Sequence, residues 1–146
     1  MSQALPHPIA LLFPMAAMVL LTFVVLLRLF RARVRAVRDA QLPVAYYRLY
    51  QGATEPEAAA KPSRHLVNLF EAPVLFYAAC LAGLALGLGR SSLVVLAWAN
   101  VAARLLHSYV HLGSNRVRWR LRAYFASWLI LLALWGDLLW VAALGR

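Results

Sequence analysis

The chain is poor in acid, in lysine and in cysteine. Five acidic residues stand against fifteen basic ones, and all of the basic residues except Lys61 are arginine. The single cysteine, Cys80, lies inside an apolar run, so there is no disulfide framework and no cysteine metal cluster. Charge of either sign is scarce: 14% of the 146 residues are charged and 64% are hydrophobic. A soluble domain carries about a quarter charged residues, so the deficit identifies lipid as the solvent. The apolar runs lack period-two alternation, which excludes a transmembrane barrel. No internal repeat and no low-complexity segment is present.

What the chain does have is four long apolar runs. Residues 9–27 and 123–136 contain no charge, residues 65–89 contain only Glu71, and residues 91–103 are uncharged up to Arg104. A crossing needs roughly 20 residues at about 1.5 Å rise each, so each run spans once its flanks are counted. The expected fold is all-α: an integral-membrane, up-down antiparallel four-helix bundle in a single domain. Its helices are expected near 8–38, 63–88, 92–112 and 119–144, with a long connection at 41–62. Pro14 would kink the first helix, Ser63 would cap the second, and Pro73 would deprive the Leu69 carbonyl of its donor. The first run is not read as a cleavable signal, because residues 1–8 carry no positive charge and the arginines follow the run.

A formal net charge of +10 would suggest nucleic acid in a soluble protein. Its distribution argues for topology instead. Eight basic residues lie between Arg28 and Arg64 and five more between Arg104 and Arg122, flanking two connections on the same side of a four-pass chain. The positive-inside rule puts that side in the cytoplasm and both termini outside, with Arg33, Arg35 and Arg38 as the chief topological signal. The arginine-over-lysine bias points to a GC-rich bacterium and hence an inner membrane. The tyrosine-rich stretch Tyr46-Tyr47-Arg48-Leu49-Tyr50 suits a membrane interface, and residues 52–62 read as a mobile polar turn.

Ionisable residues inside a span are costly, and each asks for a reason. Arg64, Asn68 and Glu71 recur at i, i+4 and i+7, which puts them on one face of a continuous second helix. Arg104, His107 and His111 recur at i, i+3 and i+7 on the third helix, again at its cytoplasmic end. Arg116, Arg118, Arg120 and Arg122 lead into the fourth, with Tyr124 just inside it. Two readings stand side by side: an interhelical Glu71–Arg104 ion pair and a stop-transfer cluster, or a site for a small ligand carrying carboxylates and an ammonium. His107 and His111 at i, i+4 could chelate a metal, but zinc would require Glu71 or His65 as a third ligand, so no metal is assigned. Asp137, near the outer end, reads as structural or water-facing.

The segments RHLVNLFEAPVLFY and RLLHSYVHLGSNRVRWRLRAY, in this order on the second and third helices, resemble the MAPEG family of membrane-associated proteins in eicosanoid and glutathione metabolism. The resemblance spans nearly the whole chain. It implies a homotrimer, glutathione as co-substrate between neighbouring subunits on the cytoplasmic side, and a hydrophobic substrate arriving from membrane lipid. By position, Arg64, Asn68, Glu71, His107 and Tyr124 resemble the family's glutathione contacts, and Arg104 and His111 join them. Arg120 resembles the arginine that stabilises the thiolate, with Arg118 as the alternative, and Arg31 resembles the helix-one contact. Three positions depart from family members: His111 stands in place of tyrosine, Val67 in place of arginine and Leu121 in place of serine. These changes argue against prostaglandin isomerisation and leave conjugation open, since an arginine-stabilised thiolate suffices for it. The implied activity is that of a glutathione transferase or peroxidase. The alternatives are a non-catalytic lipid-binding or scaffold protein and, more remotely, a metal-dependent enzyme.

Overall fold

In the computed structural model, residues 7–144 are described. Residues 1–6, most of the stretch 1–8 discussed above, and residues 145–146 lie outside them. A 3-10 turn at Pro8–Leu11 leads into α1 (Leu12–Arg38), followed by α2 (Tyr46–Leu49), α3 (Glu57–Leu69), α4 (Ala72–Ala85), α5 (Ser91–Leu112) and α6 (Val117–Leu144). No strand occurs among the described residues. Four stretches are long and apolar enough to cross a membrane: Pro8–Arg38, Glu57–Ala85, Ser91–Leu112 and Val117–Leu144. The protein is an integral membrane protein whose large exposed apolar side chains, such as Phe13, Phe30, Leu129 and Trp140, face its surroundings rather than its core.

The spans close a ring. α1 packs on α3 and α4, α4 on α6, α6 on α5, and α5 back on α1. At one end Leu11 and Leu138 meet over Gly83, where an added Cβ would lie 2.9 Å from Leu11 Cδ1. Met18, Val25, Phe76, Leu93, Val101, Leu131 and Leu134 fill the centre. Between α5 and α6, the buried Asn100 amide donates to the Ser127 carbonyl (3.0 Å). α4 ends in a left-handed Gly87 (φ 67°), whose turn lets Leu88 N–H reach the Gly83 carbonyl at 2.9 Å.

The second span departs from the expected 63–88 helix in two ways. It starts at Glu57 on a Pro56 cap, so Ser63 lies inside the helix and residues 57–62 are helical rather than a polar turn. Three alanines are strong helix formers, and Glu57 bonds Lys61 at 2.9 Å one turn on, so Pro62 is absorbed near the helix start. The span then breaks at Phe70–Glu71. Pro73 has no N–H for the Leu69 carbonyl, so the chain ends α3 with a Phe70-to-Val67 bond (2.9 Å) and restarts as α4 with Pro73 in its first turn. Pro14 sits in the first turn of α1, where a helix needs no donor.

Arg33 has a structural task beyond the topological one. Its Nη2 donates to Tyr50 Oη (3.1 Å) and Ser63 Oγ (3.3 Å), and its Nε lies 3.7 Å from Glu55. Its guanidinium also stacks 4.9 Å from the Tyr47 ring. Tyr46, Tyr47 and Tyr50 meet edge-on at 5.2–6.1 Å around it, with Tyr46 buried and Tyr50 exposed. Burial, helped by the neighbouring Glu55 carboxylate, holds the Tyr47 phenol above the usual tyrosine range.

Candidate functional site

The ends of α3 and α5 and the start of α6 enclose a cavity of about 320 Å³ lined by Arg64, Asn68, His107, His111, Arg120, Leu121 and Tyr124. Each arrives there for a local reason. α5 is an unbroken helix, so Arg104, His107 and His111 share its inner face, and all three are buried. Gly113, Ser114 and Asn115 then reverse the chain. Asn115 takes a left-handed conformation (φ 48°), its N–H bonds the Val110 carbonyl (2.8 Å), and its side-chain oxygen accepts from Arg120 Nη1 (2.8 Å). That clamp aims Arg120 at the cavity. Arg118 is exposed and does not line it.

Two expected members lie elsewhere. The break at Phe70–Glu71 removes Glu71 from the Arg64–Asn68 face; it is exposed at the cap of α4 and does not line the cavity. No Glu71–Arg104 ion pair forms among the described residues, where the ion pairs are Arg33–Glu55 and Glu57–Lys61. Arg31 lines a separate cavity of about 440 Å³, beside Arg28, Arg35 and Asp39. Asp137 is half-buried on α6 with Oδ2 unpartnered, at the opposite end of the bundle.

Behind the cavity the polar groups are densely packed and under-satisfied. Arg104 is 1% exposed, its guanidinium lies 5.5 Å from the Tyr124 ring, and its Nε and Nη1 have no partner. His65 is fully buried beside His107 and His111, with ring centroids 5.3 and 4.9 Å away. One nitrogen each of His65, His107 and His111 has no partner. A buried polar atom without a hydrogen bond costs about 1–3 kcal/mol, so this end carries a standing demand for a ligand with acceptors for the guanidinium. Ser108 and Asn115 also support the site, although the sequence reading gave neither a role. His65 emerges as a core member because it lies one turn from buried Leu69 on the inner face of α3.

The fold and this cavity define a class: a polytopic helical membrane protein with an arginine- and imidazole-lined site at one end of the bundle. Within that class the chain belongs to the MAPEG family, whose model matches residues 11–140. This family is associated with glutathione and eicosanoid metabolism. No curated protein and no solved structure matches the chain.

Proposed function

We propose that the protein is a membrane glutathione transferase or peroxidase acting on hydrophobic electrophiles or lipid hydroperoxides. The observation that carries this reading is the convergence of Arg64, Asn68, Arg120 and Tyr124 from two spans on one cavity in a MAPEG chain. Glutathione brings two carboxylates, an ammonium and a thiol. Arg64 and Asn68 suit a carboxylate and an amide, and the free Nε and Nη1 of Arg104 are donors in search of an anion. Arg120 has one nitrogen tied to Asn115, and its remaining donors stabilise the thiolate. In conjugation the sulfur forms a C–S bond as the electrophile's leaving group departs with its electron pair. In peroxide reduction two thiols are oxidised to a disulfide while the hydroperoxide becomes an alcohol and water.

The working unit in this proposal is a homotrimer. Glu71 and Arg31 do not line their own protomer's cavity and in this proposal complete a neighbour's, Glu71 taking the ammonium. The arginine distribution supports a cytoplasmic location for the site, outward termini and a bacterial inner membrane. The test is turnover and binding in detergent. Arg120→Ala should lower conjugation of a generic electrophile by about 100-fold, as loss of one charge-stabilising group does, with glutathione affinity changed far less. No glutathione binding by the unaltered protein would refute the proposal; equal losses of turnover and binding would make Arg120 a binding residue.

A second reading, a non-catalytic lipid-binding protein, draws on a separate apolar groove. About 420 Å³ in volume, it is lined by Val19, Phe23, Leu26, Leu69, Phe70 and Val74. Leu121 in the polar cavity also favours it. Co-purified lipid without any bound thiol would decide for this reading.

A further inference from the structure

The three histidines of α3 and α5 carry an arrangement that thiol chemistry does not use. One ring nitrogen from each of His65, His107 and His111 lies within 4.8 Å of the others. All three side chains are at least nine-tenths buried, at 0%, 1% and 4% exposure. Nδ1 of His65, Nε2 of His107 and Nδ1 of His111 have no hydrogen-bond partner.

The tautomers follow from what the other nitrogens do. Ser108 Oγ donates its hydrogen to the Arg104 carbonyl (2.7 Å). It is therefore the acceptor toward His65 Nε2 at 2.8 Å, and His65 carries its proton on Nε2. His107 Nδ1 faces the Arg120 carbonyl at 3.2 Å, which only accepts, so the proton of His107 is on Nδ1. The unpartnered Nδ1 of His65 and Nε2 of His107 are thus both bare lone pairs on buried side chains. A buried core histidine ordinarily satisfies its ring nitrogens; here each of three adjacent rings has one without a partner. The outer nitrogens, meanwhile, are fixed by a hydroxyl and a carbonyl, which is how proteins orient metal-binding imidazoles.

We propose that His65, His107 and His111 bind one zinc-type divalent transition-metal ion per chain, with a fourth position open toward the cavity that His107 and His111 line. Tetrahedral ligands at 2.0–2.1 Å from zinc lie about 3.3 Å apart, so ring nitrogens within 4.8 Å of one another need to close by up to about 1.5 Å. Imidazole ligands suit zinc, cobalt, nickel and copper and disfavour magnesium and calcium. Arg104 and Arg120 flank the cluster, and their charge selects an anion, such as hydroxide, as the fourth ligand. The inference rests on the unpartnered ring nitrogens; His107 and His111 also line the cavity that the glutathione reading uses, so metal binding and thiol binding are measured separately.

The test uses the full-length protein in detergent, without a polyhistidine tag, stripped by chelator and dialysed against Zn²⁺. Metal analysis should find one ion per chain, and Co²⁺ should give the visible absorption of a four-coordinate site. His65→Gln and His111→Gln should each weaken Zn²⁺ affinity at least 100-fold, and Ser108→Ala, which removes only the orienting partner, about tenfold. His111 lies at the cavity edge, so its variant carries the test should His65→Gln fail to fold. Fewer than one ion per three chains, or unchanged affinity in both histidine variants, overturns the proposal. Neither outcome bears on thiol turnover, which is measured separately on metal-free protein.

Discussion

The two ends of the bundle are built on opposite terms. At one end Leu11, Gly83 and Leu138 close on each other with apolar contacts. At the other, His65, Arg104, His107, Ser108 and His111 occupy equally buried positions, yet several of their polar atoms face nothing. The apolar end is therefore where stability is stored, and the basic end is where stability is forgone to keep donors and lone pairs available.

The strongest way to break this contrast is to make the basic end apolar. Arg104→Met removes a buried cation with unpartnered nitrogens, and replacing buried charge by apolar volume stabilises by about 1–4 kcal/mol. The expected result is a higher unfolding midpoint in detergent together with at least a tenfold loss of glutathione affinity. A variant that is destabilised while its affinity is retained would erase the distinction between the ends. Phe76→Ala in the apolar centre should do the reverse. It loses about 3 kcal/mol by the usual cavity cost, read from denaturant titration, with the folded fraction still binding ligand normally.

Smaller changes sharpen the picture. Asn115→Gly preserves the left-handed backbone and deletes only the 2.8 Å bond to Arg120. Turnover should fall about tenfold, in line with a net bond of ~1.5 kcal/mol, the lower end for a charged group, while thermal stability hardly moves. Least of all should come from Gly83→Ala. Its new Cβ meets the flexible end of Leu11 at 2.9 Å, so a rotamer change limits the loss to about 1 kcal/mol or less in the same titration.

The four spans were legible because charge-free runs of that length have one use, and the family was legible from two short segments in the right order. The α5 face was legible too: Arg104, His107 and His111 share an uninterrupted helix, where i, i+3, i+7 arithmetic holds. The same arithmetic failed for Glu71, because Pro73 ends α3 after Leu69 and the phase is lost across the break. Helical spacing says which residues share a face but not which face is inside, so His65 looked like a spare ligand and not a core residue. Asn115 was hidden because a left-handed turn residue and a side-chain clamp leave no periodic signal. Arg33 read as one of several equivalent arginines because its partners Tyr50, Glu55 and Ser63 are distant in the chain. Contacts between neighbouring subunits, on which the roles of Glu71 and Arg31 depend, are not written in the pattern of one chain.

Arg33 has one more consequence. By gripping Tyr50, Glu55 and Ser63 together, it joins α1 to the second span by side chains, in parallel with the backbone that passes through the exposed, open Gly52. The gene could be divided at this glycine, and the first span, made as a separate polypeptide, would dock back onto the other three.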